Sequence, residues 1–195
     1  DLHLCDRRQR QMCIRDRSQL EDYQVYSHVI LPPTPDVILF DIFDRVNRGG
    51  TKLNKQEIRN ALYHGKGLET IDEITRTKEF ETVTRIIYRK DTRMKGSYLM
   101  TRFMAFYMLY NHMLGDFTYS GDLDILIETS LKKLNNSPDE SLDNLKQISI
   151  DCLRLSYEVF GNNAYRRGLV SSHPINMNIF EITMYFMSVS YTHLR

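Results

Sequence analysis

The longest regular pattern of apolar positions runs from Leu142 to Val159 in steps of three and four residues. Such steps return to one face of a helix with 3.6 residues per turn, so they predict an amphipathic helix. The segment 97–112 is instead apolar on nearly all sides, which predicts a central, buried helix. It is too short for a bilayer and contains Arg102, so we expect no membrane span there. Further helical patterns cover 68–75, 78–88, 123–134 and 176–187.

A helix start and a helix stop bound the segment between residues 34 and 50. Thr34 followed by Pro35 is a typical start, because threonine caps the first turn and proline suits the first helical position. We expect this helix to run to about Arg48. Gly49 and Gly50 would end it, since glycine accepts the left-handed backbone that closes many helices.

A second helix start follows this turn at once. Asn54 is the expected cap, and Glu57, three residues later, is placed to reach back to it in a capping box. The helix would stop near Gly65. Altogether the patterns predict about seven helices.

One segment near the beginning of the chain predicts a strand instead. Residues 22–31 alternate loosely and are rich in Val, Ile and Tyr, and three prolines follow them. A single strand cannot satisfy its own backbone groups in water, so its partners are expected upstream. The predicted fold class is therefore mainly α, with a multi-helix domain preceded by one remnant strand whose parent domain the patterns do not define.

The two ends of the chain differ from the rest. Residues 1–17 lack helical and strand periodicity and contain the string MCIRDR, and residues 189–195 read VSYTHLR. Both strings resemble translated sequencing-adapter DNA. We therefore expect residues 1–17 and 189–195 to lie outside the natural fold.

Composition indicates an ordinary globular protein without a strong overall charge. Lys and Arg number 26 and Asp and Glu 25, for a net charge of +1. Without the adapter-like ends, 20 basic and 22 acidic residues remain. Neither balance attracts nucleic acid or a membrane as a whole. Cys152 is then the only cysteine, which fits a reducing, cytoplasmic compartment, and its place on the apolar stripe predicts a core thiol.

Familiar catalytic and metal-binding patterns do not occur in the sequence. The six histidines never pair with another His or Cys at ligand spacing. A G-x-S-x-G elbow, a Walker-type phosphate loop and a G-x-G-x-x-G motif are also missing. We therefore expect neither a metal site nor a catalytic residue in this chain.

The densest chemistry lies between Phe43 and Ala61, around the glycine pair. Arg45 carries a five-donor guanidinium that fits phosphate or carboxylate. The glycine turn would let backbone N–H groups approach an anion closely, and the next helix begins just beyond it with its positive end. Together these parts are able to hold a phosphate.

The same residues also have a purely structural interpretation. Two i, i+4 charge pairs, Asp41–Arg45 and Asp44–Arg48, would stabilise the first helix. Glu57 is explained by its capping box and the glycines by helix termination. Arg59 and Asn60 are able to bridge the two helices. From the residues alone, both interpretations stay open.

The spacing F-x-R-V-N-x-G-G-x-x-L-x-x-x-E-I-R-N-A over residues 43–61 resembles the signature of a large family of bacterial domains. Its best-known members are the GmrSD-type modification-dependent restriction endonucleases. Weaker echoes follow at Arg93-Met94, at Arg102-Phe103, and at Phe180-Glu181 after Asn176, so the resemblance covers about residues 22–187. The matching positions are Phe43, Arg45, Asn47, Gly49, Gly50, Leu53, Glu57, Arg59, Asn60 and Ala61.

In that family a ParB-like α/β domain with a D-G-Q-Q-R motif binds and hydrolyses a nucleoside triphosphate. A helical region follows, and many members add an HNH nuclease module. The resemblance implies that residues 18–50 are the C-terminal remnant of the ParB-like domain with the signature helix, and that 51–188 form the helical domain. This sequence has neither D-G-Q-Q-R nor HNH residues, so we expect the chain to be inactive alone.

The resemblance implies a bacterial antiphage restriction factor whose intact parent uses a nucleoside triphosphate and a divalent metal to control DNA cleavage. The implied partners are DNA and a nuclease domain or subunit. The implied nucleotide-binding residues are Arg45, Asn47, Gly49 and Gly50, supported by Glu57, Arg59 and Asn60.

Two other functions stay open. The helices would form a non-enzymatic coupling or DNA-contacting module if their basic clusters met the phosphate backbone. A generic helical interaction domain, with a chance signature, is the third hypothesis. The clusters are Arg85, Arg89, Lys90, Arg93 and Lys95, and separately Arg166 and Arg167.

Overall fold

Helices dominate the computed structural model, which describes residues 17, 21–24, 27, 29–31, 33–46, 52–168 and 173–193. Two single-turn 3₁₀ helices, Tyr88–Lys90 and Gly161–Asn163, join longer elements. The prediction of a mainly α fold is confirmed. Within the described residues the α-helices are α1 Asp36–Val46, α2 Lys55–Leu62, α3 Lys66–Thr75, α4 Lys78–Thr84, α5 Lys95–Tyr110, α6 Leu123–Asn135, α7 Asp139–Phe160 and α8 Met177–His193.

The described chain divides into two units, one that ends at Ile38 and one that begins at Leu39. Helices α2 to α8 all belong to the second unit, which also contains the hydrophobic core. None of the helices in the described ranges combines the length and apolarity that a membrane crossing requires.

Helix α5 is the centre of the second unit, as its apolar sequence predicts. It packs against α2, α3, α6 and α8. Six of its apolar side chains are almost fully removed from water, and their burial supplies most of the hydrophobic stabilisation of the helix, whereas Tyr110 at its end is 54% exposed. The buried apolar residues of α5 are Leu99, Met100, Phe103, Met104, Ala105 and Met108.

Helix α7 forms the second layer and packs against α3, α4 and α8. Most of its predicted apolar stripe faces the core, but Val159 at the end of the stripe is 62% exposed. Cys152 is fully buried, so the prediction of a core thiol is confirmed. Burial, with the nearby charge of Asp151, raises the pKa of the Cys152 thiol to about 12.

An ion pair joins α5 to α8. Arg102 Nη2 lies 2.6 Å from Glu181 Oε2, and both side chains are 15% exposed. Burial raises the pKa of Glu181, and the charge of Arg102 opposes that shift. Arg102 and Glu181, which belong to two of the weaker matches to the signature, are therefore in direct contact.

Several helix boundaries differ from the sequence predictions. Helix α4 ends at Thr84, because Arg85 adopts a left-handed backbone with φ of 60° and closes the last turn. Helix α8 begins at Met177 and continues through His193. It therefore includes residues 189–193, which belong to the adapter-like string.

The predicted remnant strand stays a prediction. The described residues between 22 and 31 belong to no strand, and Val25, Tyr26 and His28 lie outside the described part of the chain. Residues 1–16 and 194–195 likewise lie outside it. The Thr34 hydroxyl, predicted to cap α1, donates a hydrogen bond to the Leu31 carbonyl at 2.7 Å.

Candidate functional site

The start of α2 has the capping box that its sequence predicts. Asn54 Oδ1 accepts hydrogen bonds from the backbone N–H groups of Gln56 at 2.8 Å and Glu57 at 2.9 Å. The Glu57 carboxylate accepts the N–H of Asn54 in return. These bonds satisfy amides that a helix start otherwise leaves without partners.

A three-membered ion cluster fixes α2 to α6. Arg59 Nη2 contacts Asp124 Oδ1, and Lys55 Nζ contacts Asp124 Oδ2, so both carboxylate oxygens are used. The Arg59 side chain is only 1% exposed. Burial acts to raise the pKa of Asp124, but the hydrogen bond from Lys55 and the charge of Arg59 outweigh it, and the pKa is lowered.

Next to this cluster lies the buried side chain of Gln56, whose two amide atoms differ in their hydrogen bonding. Its Nε2 donates to Asn60 Oδ1 at 2.9 Å and lies 3.3 Å from the hydroxyl oxygens of both Ser97 and Thr101. Its Oε1 has no hydrogen-bond partner among the described residues. Most buried polar atoms in proteins are paired, so this carbonyl oxygen stands out.

Arg93 connects the start of α2 to the turn that precedes α5. Its Nη1 lies 3.3 Å from Glu57 Oε1, and its guanidinium donates to the Lys52 carbonyl at 3.3 Å. The Arg93 carbonyl accepts a hydrogen bond from Asn54 Nδ2 at 2.8 Å. The turn and the capping box therefore hold each other in place.

Asp91 anchors the beginning of α5. Its carboxylate accepts the backbone N–H groups of Lys95 at 2.9 Å and Gly96 at 2.7 Å. A Cβ at position 96 would lie 3.1 Å from the Phe80 ring and 3.3 Å from the Asp91 carboxylate, so glycine allows this close approach. The backbone at Lys95 is thereby fixed beside α2.

These elements enclose a cavity of about 400 Å³ in front of α2. Three of its lining side chains are cations: Lys55, Arg93 and Lys95. Lys55 and Arg93 already have carboxylate partners, whereas the Lys95 ammonium has no ion pair within the described ranges. The cavity is able to hold an anion, because three cationic residues line it at the positive end of a capped helix. The lining residues are Asn54, Lys55, Gln56, Arg93, Lys95, Tyr98 and Met177.

A wider groove of about 640 Å³ shares Lys55 and Tyr98 with this cavity. Its other wall is the start of α6, where Asp122 Oδ1 accepts the backbone N–H of Asp124 at 2.8 Å. No three His, Cys, Asp or Glu side chains converge on a possible metal position anywhere in the described part of the chain.

The residues predicted from the signature have different outcomes. Arg45 is 69% exposed and forms the predicted i, i+4 pair with Asp41, with Nη2 and Oδ2 2.9 Å apart. Asn47, Gly49 and Gly50 lie outside the described residues, as does Arg48 of the second predicted pair. Their place in a nucleotide cleft stays a prediction.

The supporting residues Glu57, Arg59 and Asn60 do lie together on α2. Arg59 bridges α2 to α6 through Asp124, and Asn60 accepts its hydrogen bond from Gln56 within α2. Gln56 and Asp124 were not among the residues predicted from the sequence. Gln56 stands directly before Glu57 in the signature, but Asp124 is 65 residues from Arg59 and gave no local signal.

One of the predicted basic clusters is corrected by the structure. Arg166 is only 7% exposed, and its guanidinium donates to the backbone carbonyls of Val83, Thr84, Asn162 and Ala164 at 2.8–3.3 Å. The Arg166 guanidinium therefore binds backbone carbonyls inside the fold. It is not available to form a DNA-contacting pair with Arg167. Arg89 and Lys90, from the other cluster, are exposed on the 3₁₀ turn.

Comparison with known proteins yields no match to a family model, to a curated protein or to a solved structure. The functional interpretation therefore depends on the geometry of the cavity and on the signature residues beside it.

Proposed function

We propose that the cavity in front of α2 binds the phosphates of a nucleoside triphosphate. The observation that carries this proposal is that Lys55, Arg93 and Lys95 all line one cavity at the start of α2. A triphosphate is a chain of anionic oxygens, and charge-assisted hydrogen bonds from Lys and Arg are the contacts that hold such oxygens most strongly. A volume of about 400 Å³ lies in the range of small-molecule sites.

Lys95, Arg93 and Lys55 would bind the phosphates in different ways, because their existing contacts within the protein differ. Lys95 has no described ion pair, so it would donate to a phosphate without first leaving a partner. Arg93 would present its guanidinium from the turn that Asn54 and the Lys52 carbonyl fix. Lys55 would exchange Asp124 for phosphate, and Asp124 would keep its bond to the buried Arg59.

We further propose that this chain is the helical part of a longer, GmrSD-type restriction factor. Nucleotide binding would control DNA cleavage by that intact protein. The signature resemblance supports this, and it adds Arg45, Asn47, Gly49 and Gly50 to the nucleotide site. The divalent metal would arrive with the triphosphate, as Mg²⁺ commonly does. The nuclease would be a further domain or subunit.

The test is calorimetric titration of the full chain with ATP and with GTP, each in the presence of Mg²⁺. We expect saturable binding of at least one nucleotide, weakened about tenfold by Lys95→Ala, because one charged hydrogen bond is lost. Lys133→Ala is the matched control, since it removes another exposed lysine without a described ion pair, on α6. Absence of binding, or equal affinities of the two variants, would overturn the proposal.

A second candidate function is a DNA-contacting module. It is favoured by Arg89 and Lys90, which are exposed and have no hydrogen bond or ion pair of their side chains within the described ranges. If Arg89 and Lys90 both contact DNA phosphates, the double variant with Ala at both positions should release about two fewer counterions on binding. The slope of log affinity against log salt concentration should fall accordingly. Fluorescence anisotropy with a short duplex at several salt concentrations measures this slope, and a slope equal to that of Lys133→Ala would exclude the contacts.

A further inference from the structure

Residues 85–95, which follow α4 and lead into α5, carry five basic side chains and one acidic side chain. The acidic residue, Asp91, is used within the protein, because its carboxylate accepts two backbone N–H groups at the start of α5. Arg89 and Lys90 are exposed, and their side chains have no hydrogen bond or ion pair within the described ranges. These two cations therefore present positive charge that suits an anionic polymer.

An exposed aromatic ring precedes these two cations. Tyr88 is the first residue of the 3₁₀ turn Tyr88–Lys90 and is 39% exposed. Its hydroxyl accepts a hydrogen bond from Arg76 Nη2 at 2.8 Å and donates one to Asp72 Oδ2 at 3.2 Å. Arg76 Cζ also lies 4.6 Å from the ring centroid, within the range of a cation–π contact. These contacts fix the ring at the surface and leave part of it open to water.

A fixed, exposed ring beside free cations has the properties of a stacking platform for a nucleobase. The ring has already lost its side-chain freedom on folding, so a ligand that stacks on it does not have to order it. Every base has a π face, but the bases of a duplex cover each other's faces. Only an unpaired strand offers such a face to Tyr88, and the phosphates of that strand would meet Arg89 and Lys90.

A groove of about 470 Å³ continues this surface onto α4. Ile87, the neighbour of Tyr88, is 39% exposed and lines the groove together with Lys78 and Arg85. Glu81 is the acidic residue of the lining. The groove therefore has two cationic residues against one acidic residue, and its mixed apolar and basic lining suits the bases and the phosphates of one strand.

We propose that this surface binds single-stranded nucleic acid, with one base stacked on Tyr88 and the adjoining phosphates held by Arg89 and Lys90. The inference rests on the second candidate function and deepens it, because contact with phosphates alone does not distinguish a strand from a duplex. It does not depend on the cavity in front of α2. DNA and RNA strands share the base face and the phosphate, so the experiment includes both.

The experiment is fluorescence anisotropy of the full chain with a labelled oligothymidylate of about 12 nucleotides. The comparison ligands have the same length: a strand that lacks bases, a duplex and an oligouridylate. We expect the oligothymidylate or the oligouridylate to bind about tenfold more tightly than the abasic strand, because a stacked base is lost. The tighter of the two strands should also bind more tightly than the duplex.

The variant Tyr88→Leu removes the ring, and Tyr88→Phe keeps the ring while removing the hydroxyl that contacts Arg76 and Asp72. Tyr88→Leu should lose about tenfold in affinity for the base-bearing strand and keep the affinity for the abasic strand. Tyr88→Phe should keep most of the base-dependent affinity. Tyr157→Leu on α7 is the matched control, since Tyr157 is also 39% exposed, and it should bind as the original chain does.

A tryptophan at the same position gives a direct signal of stacking. The chain contains no tryptophan, so Tyr88→Trp introduces a single indole whose fluorescence a stacked base should quench. The abasic strand should leave it unchanged, and Tyr157→Trp should show no quenching with either strand. Thermal melting reports whether each variant folds, and Tyr88→Trp decides the question if Tyr88→Leu does not fold.

The outcomes separate this inference from the second candidate function. Equal affinities for base-bearing and abasic strands overturn the inference, as does an unaltered affinity in folded Tyr88→Leu or unquenched Tyr88→Trp. Tighter binding of the duplex, with a salt dependence that Arg89 and Lys90 determine, leaves the DNA-contacting function in place and overturns the stacking on Tyr88. If neither strand nor duplex binds, both fail.

Discussion

Arg59 on α2 donates to Asp124 on α6, although 65 residues separate them in the sequence. Arg59 is 1% exposed and Asp124 is 38% exposed, so a buried cation depends on a carboxylate at the edge of the groove. Because Lys55 uses the other oxygen of Asp124, the same carboxylate fixes the helix and positions a lining residue of the cavity. The support of α2 and the placement of a cavity-lining lysine are therefore joined at Asp124.

The first prediction concerns this pair. Asp124→Ala removes the carboxylate that contacts the buried Arg59 guanidinium and leaves only the charge of Glu128 acting on it. We expect the free energy of unfolding to fall by about 3 kcal/mol. Asp139→Ala is the control, because it removes an exposed partner of Lys66 and should change stability by less than about 1 kcal/mol. Urea unfolding measures both, and equal losses would contradict the assigned role of Arg59.

The second prediction concerns pH. The pKa of Asp124 is lowered in the folded protein, so its ionised form adds stability at pH values above the ordinary carboxyl pKa. This contribution is lost as the pH falls through the lowered pKa and the carboxylate takes up a proton. Asp124→Asn should therefore lose less stability than the original chain on acidification below about pH 4. Parallel stability profiles between pH 7 and pH 3 would be the contrary result.

The third prediction concerns the contact between α3 and α6. A Cβ added at Gly67 would lie 2.6 Å from Leu134 Cβ, and the Gly67 N–H donates to Asn135 Oδ1 at 2.9 Å. Helix propensity alone favours Gly67→Ala by about 1 kcal/mol, but the clash should reverse the sign and destabilise the protein by about 1–3 kcal/mol. Glu69→Ala, on the exposed side of α3, should be close to neutral, and thermal melting distinguishes the two variants.

The fourth prediction concerns Arg166. Lysine has a single nitrogen and cannot reach the separate carbonyls that the guanidinium joins, so Arg166→Lys should lower the free energy of unfolding by about 2 kcal/mol. Arg167→Lys at the exposed neighbouring position should have little effect. DNA affinity should be the same in folded Arg166→Lys as in the original chain, and a selective loss of DNA binding would contradict the internal role.

Local patterns proved sufficient for much of the fold. The Asn54 and Glu57 capping box, the α7 stripe with its buried Cys152 and the central place of α5 follow from residues within a turn or two of each other. The ends of helices were harder to predict where the backbone of a single residue decides them. Arg85 closes α4 by adopting a left-handed backbone, which its side chain gave no reason to expect.

The candidate site was only partly predictable. The signature identified Glu57, Arg59 and Asn60. Arg93 and Lys95 belonged to a predicted basic cluster, and nothing in the sequence connected that cluster to the signature. Their common cavity exists because the turn before α5 packs against the start of α2. The hydrogen bonds of the buried Gln56 amide depend on Ser97 and Thr101, which lie about forty residues further along the chain.

The sequence by itself determined which segments are helical and which faces are apolar, since helical hydrogen bonds and side-chain periodicity act within four residues. Only the tertiary structure decided that Arg166 binds carbonyls of the interior, that Arg59 pairs with Asp124 and that Gln56 lies buried against Ser97 and Thr101. Those outcomes depend on distances between helices, and packing of the whole core fixes such distances.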